Sequence, residues 1–116
     1  MLGRVGGWSI ISKRNLYLAG DSIYLIVDVI FYSGKRNTLP VRKYRPDIIV
    51  DGMEDSYWGI TFTDIDLSDF DVACIAEIKF TFQPKHYAEV SIGQTFKIME
   101  GANQVGEGKI LFIETE

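Results

Sequence analysis

Little in this sequence invites covalent or metal chemistry, for it holds one cysteine, Cys74, and one histidine, His86, in 116 residues. Cys74 cannot close an internal disulfide and has no CxxC partner for zinc, so it reads as a small core residue. His86 has no serine, cysteine or carboxylate motif around it and reads as structural or solvated. Long apolar runs are also missing. The longest, "IYLIVDVIFY", is broken by Asp28 and is too short to span a bilayer. The opening "MLGRVGGWSII" lacks the apolar core and cleavage site of a secretory signal. No membrane association and a cytoplasmic location are therefore expected. No stretch combines 3.6-residue apolar periodicity with capping residues, which argues against helices.

What is present fits one globular domain. The length suffices for a single core, and a hydrophobic content of 47% with 24% charged residues excludes a disordered chain. Alternation of period two is plainest in "AEIKFTF", with Ala76, Ile78, Phe80 and Phe82 on one face; that pattern marks a half-buried strand. "SIYLIVDVIFYS" is apolar on both faces, as a central strand would be. Further strands are expected at "WSII", "DIIVD", "YWGITFTD", "QTFKIME" and "GKILFIE", and Pro40, Pro46 and Pro84 fall near strand boundaries, where a missing amide does least harm. The expected fold is all-β, a small antiparallel barrel of six or seven strands occupying residues 22–116, preceded by an extra segment at 1–21. Ile78, Phe80, Phe82, Phe96, Ile98 and Phe112 are expected in its core.

The net charge of −4 weighs against generic nucleic-acid binding, yet the charges are sorted along the chain. Residues 34–46, "GKRNTLPVRKYRP", carry Lys35, Arg36, Arg42, Lys43 and Arg45 and no acid, whereas 47–78 carry nine acids and no base. Four of those acids, Asp64, Asp66, Asp69 and Asp71, crowd into "DIDLSDFD". Clustered carboxylates suit calcium, but the EF-hand spacing, turn glycine and closing glutamate are absent, so an exposed acidic loop is the better reading. Tyr57, Trp58 and Trp8 could stack on bases, although aromatics in a small barrel more often fill the core.

The stretch "EGANQVGEGK" (100–109) looks at first like a phosphate cradle. Gly101 and Gly106 have P-loop spacing, but Glu107 stands where the lysine belongs and Lys109 is followed by Ile110; the residues that would reach phosphate and Mg²⁺ are missing. A hairpin between "TFKIM" and "KILFI" is expected instead, with Gly101, Asn103 and Gly106 at positive φ, and with Gly106 and Gly108 needed because a β-carbon there would be strained. No nucleotide and no cofactor are expected.

Two segments, "VRKYRPDIIV" at 41–50 and "GQTFKIMEGANQVGEGKI" at 93–110, resemble in order and separation the C-terminal β-barrel, domain 3, of elongation factor Tu. That domain has a Tyr-Arg-Pro strand opening followed by a Phe-x-Ile-x-Glu-Gly hairpin with Val-Gly-x-Gly. The likeness covers roughly residues 22–113. It implies a compact antiparallel barrel, without the P-loop, Asn-Lys-x-Asp and switch segments of the GTPase, hence no enzyme. It also implies contacts to tRNA backbone or to partner proteins, through the basic loop of Lys35, Arg36 and Arg42 and through Glu100 and Gly101. Asp47 departs from the family, which has a neutral amide side chain there; a carboxylate would repel phosphate. Two functions follow as expectations. One is a stand-alone module that binds a protein partner, for instance as an immunity or inhibitor protein, through the acidic surface of Asp47, Asp64, Asp66, Asp69 and Asp71. The other is a translation-associated RNA-binding module that uses Lys35, Arg36, Arg42, Lys43 and Arg45.

Overall fold

Alternation of buried and part-exposed side chains builds six strands in the computed structural model, which describes residues 23–81 and 84–115. They are β1 (Ile23–Phe31), β2 (Asp47–Val50), β3 (Trp58–Asp64), β4 (Cys74–Phe80), β5 (Thr95–Glu100) and β6 (Asn103–Thr115), with a 3₁₀ helix at Pro84–Ala88 between β4 and β5. Every pairing is antiparallel, and the order β1-β4-β3-β2-β5-β6 closes into a barrel. Closure gives the backbone of each strand a partner on both sides. Among the described residues no helix is long and apolar enough to cross a membrane.

The core is the inner face of that barrel. Leu25, Val27, Phe31, Ile48, Ile60, Phe62, Ile78, Ile98, Val105 and Ile110 are fully buried, and each such large side chain contributes about 1.5–3 kcal/mol. β1, apolar on both faces, alternates regularly: Ile23, Leu25, Val27, Val29 and Phe31 point inward, while Tyr24, Ile26, Asp28 and Ile30 are only half-buried. A single-layer barrel covers one face of a strand completely, so the sequence expectation of a strand buried on both sides holds only for the inner one. Tyr87 closes the far end. Its hydroxyl donates to the Ile23 carbonyl at 2.7 Å and accepts the Phe80 amide at 3.0 Å, and burial raises its pKa to about 12.

Two expectations about β6 need correction. Phe112 is 55% exposed, not buried, because the register of β6 against β1 shifts between Ile26 and Val27, where Leu111 is the extra residue. A bulge of one residue inverts which face each following side chain takes, so Ile113 replaces Phe112 inside. Phe82 and the "WSII" strand lie outside the described residues, whereas Ile78, Phe80, Phe96 and Ile98 are buried as expected. The hairpin is present, and Gly101 has φ 62 as the first residue of a two-residue turn, a position that suits glycine. Asn103, Gly106 and Gly108 are strand residues without positive φ. The last two glycines are required for a different reason. A β-carbon on Gly106 would lie 2.4 Å from the Ile30 carbonyl oxygen, and one on Gly108 would lie 2.3 Å from Cζ of Phe96.

Candidate interaction surface

Antiparallel order alone places the charged segments together. With neighbouring strands running in opposite directions, the β1–β2 loop (32–46), the β3–β4 loop (65–73) and the β5–β6 turn all emerge at one end of the barrel. Lys35, Arg36, Arg42, Lys43, Arg45, Glu100, Gly101, Asp64, Asp66, Asp69 and Asp71 therefore share that end, and Asp47 stands at its margin as the first residue of β2.

Each loop is tied down by backbone and side-chain bonds. In the acidic loop Ile65, Leu67 and Phe70 pack against the core while Asp64, Asp66 and Asp69 face solvent, so apolar alternation makes the acids its outer side. Asp71 joins the two loops: its amide donates to the Phe31 carbonyl at 2.7 Å and its Oδ1 accepts the Ser33 amide at 3.1 Å. Those bonds from Ser33 hold its carboxyl below the ordinary value. The basic loop ends against β3. Lys43 donates its amide to Phe62, Phe62 to Tyr44 and Ile60 to Pro46, which prolongs the short β2 backward along its neighbour.

A polar cluster at this end joins residues that the sequence places far apart. Arg36 Nε and the Tyr44 hydroxyl both donate to Oε2 of Glu100 at 2.6 Å, and Arg36 Nη1 donates to the Thr38 carbonyl at 2.5 Å. The guanidinium also lies 4.7 Å above the Tyr44 ring, a cation–π distance. That ring stacks on Phe62 and meets Phe31 edge-on. Burial, reinforced by the Glu100 carboxylate, pushes the Tyr44 phenol far above its ordinary pKa. Arg36 and Glu100 thus satisfy each other and form a clasp that fixes the loop. Lys35, Arg42 and Lys43 are exposed, and no hydrogen bond or ion pair engages their side-chain charges among the described residues. Arg45 is exposed as well, and Asp47 is half-buried beside Gly59 of β3.

Sequence reasoning missed Tyr44 as the hub of this clasp and Val41, 71% exposed, in the basic loop. No local pattern marks Tyr44, because its partner Glu100 lies 56 positions away. The aromatic candidates separate cleanly: Trp58 is core, Tyr57 is exposed, and Trp8 is outside the described residues. Trp58 instead stacks on His86, with ring centroids 4.0 Å apart, at the opposite end of the barrel. Among the described residues no three histidine, cysteine or acidic side chains come close enough to hold a metal. The glycine-rich stretch is bound up in the β5–β6 ladder. No protein-family model matches the chain, and no curated protein matches it either.

Proposed function

We propose that this chain is a non-enzymatic binding module, a barrel similar to domain 3 of elongation factor Tu, that holds a partner protein at its loop end, in the manner of an immunity or inhibitor protein. One observation carries the reading: at that end, exposed aliphatic side chains stand among charges of both signs. Val41, Val72 and Ile75 are 71%, 44% and 58% exposed, and the cations of 35–45 and the acids of 64–71 emerge at the same end. Apolar contact within a rim of mixed charge suits a protein surface. A nucleic-acid backbone rewards uninterrupted positive charge, and here Asp71 is bonded directly to the basic loop while Arg36 is neutralised by Glu100.

The test is affinity purification of the tagged chain from its native cells, before and after ribonuclease treatment. A protein partner that survives ribonuclease and is lost on Val41→Asp is the expected result. The competing RNA reading is checked by fluorescence anisotropy with labelled tRNA at 150 mM salt, where no binding is expected. Sub-micromolar affinity there, abolished by substituting Arg42 and Arg45, would overturn the proposal.

A further inference from the structure

The exposed turn at Val41–Tyr44 carries a feature that its own fold does not require. The Tyr44 amide donates to the Val41 carbonyl at 3.1 Å, closing a four-residue turn in which Lys43, the third residue, has φ 77. A turn of that shape is filled most easily by glycine or asparagine. Elsewhere the chain follows the rule, with Gly34, Gly52, Gly93 and Gly101 at positive φ. Two described residues break it, Lys43 and Asp71. Asp71 has a local reason, since its carboxylate accepts the Ser33 amide from within the same set of loops. The Lys43 side chain has none: it is exposed and takes part in no hydrogen bond or ion pair among the described residues. Strain held at a position where the side chain does nothing for the fold points to a use outside it.

Resting on the reading of the loop end as a protein-binding surface, we propose that the turn Val41-Arg42-Lys43 is its anchor, and that the partner presents an acidic patch beside an apolar recess. Val41 enters the recess, and Arg42 and Lys43 meet the carboxylates. The Arg36–Glu100–Tyr44 clasp keeps the turn in one conformation before contact, so little ordering remains to be done on binding.

The probe is a library of displayed 12-residue peptides selected on the full chain at 150 mM salt, with the enriched sequences resynthesised and measured by fluorescence anisotropy. Enriched peptides should join Asp or Glu to Leu, Ile or Phe. Lys43→Gly and Val41→Ser should each weaken binding at least tenfold, and Lys43→Arg less than threefold. Lys43→Gly should unfold at the same temperature or higher, which separates lost contact from lost fold. Peptides whose binding ignores Lys43 and Val41 but fails on Asp66→Asn or Asp69→Asn would overturn the anchor while keeping the barrel end as a protein site. Peptides insensitive to both loops, or none at all, would overturn the anchor and the site together.

Discussion

Replacing Gly106 or Gly108 with alanine tests the barrel's closure most directly. In an ordinary strand the change is mildly stabilising, by roughly 0.5–1 kcal/mol, because alanine has less chain entropy to lose. Here the geometry reverses the sign. The new methyl on Gly106 would sit 2.4 Å from the Ile30 carbonyl oxygen, about 1 Å inside ordinary contact, and the obstacle is β1 backbone. On Gly108 the shortfall is similar, but the atoms struck hardest are Cζ and Cε1 of Phe96, with the Asp28 carbonyl oxygen of β1 at 3.0 Å behind them; the Phe96 side chain can tilt although it is 3% exposed. Overpacking costs about 1–3 kcal/mol and occasionally more. Gly108→Ala should therefore cost about 2 kcal/mol and Gly106→Ala 3 kcal/mol or more, a large part of a small domain's roughly 5–15 kcal/mol. Gly59 is the internal control. A β-carbon there meets nothing nearer than Asp47 Oδ1 at 3.6 Å, so Gly59→Ala should be neutral or slightly stabilising. Urea unfolding followed by circular dichroism gives all three values. Pairing Gly108→Ala with Phe96→Leu should recover about 1 kcal/mol relative to the sum of the single changes. If Gly106→Ala proves no more harmful than Gly59→Ala, the close approach of β6 to β1 is not what those glycines serve.

Tyr44→Phe removes one of two charge-assisted bonds to a carboxylate about one-third exposed, so a loss of about 1 kcal/mol is expected. Combined with Arg36→Ala it should cost visibly less or more than the sum, and strict additivity in urea denaturation would show that no clasp exists. Burial lowers the pKa of His86, with Glu89 opposing and Lys85 assisting, from its ordinary 6.5. The unfolded chain then binds the proton first, so His86 contributes full stability above pH 6.5 and loses it as pH falls toward its folded value. His86→Gln should flatten that slope, and an NMR titration that finds His86 at 6.5 or higher would refute the assignment. Tyr32 is raised to about 12, chiefly by burial and then by Glu107, and Tyr87 to about 12. Their stabilisation is complete below pH 10 and fades between 10 and 12. Absorbance at 295 nm should show them ionising later in the native protein than in concentrated urea; superimposable curves would contradict this.

Strand identity was legible because side-chain alternation is local: "AEIKFTF" announced both the existence and the inner face of β4. Parity past a bulge was not. Nothing in "KILFIE" marks Leu111 as the residue that skips a partner, and so Phe112 was assigned to the wrong side. Glycines in "VGEG" signalled constraint correctly, but through backbone dihedral rather than through the Ile30 and Phe96 atoms that crowd them, since those atoms come from other strands. The charged loops were equally visible as composition. Their meeting at one end follows from alternating strand direction, and the loss of Arg36 and Glu100 to each other follows from a contact across 64 positions that no local reading detects.

The barrel's shortest seam has a consequence for how binding is felt inside the fold. β2 and β3 are matched only at Asp47 with Gly59 and at Ile48 with Trp58, whereas β1 runs against β6 along its whole length. The seam is lengthened by Lys43, Tyr44 and Pro46 of the basic loop, so the segment proposed to meet a partner is also the zip fastening the wall. Amide hydrogens of Ile60 and Phe62 can meet solvent deuterium only when that zip parts. A partner that grips the turn at 41–43 would therefore slow exchange in the adjoining strand β3, and the depth of that protection would report how firmly it holds.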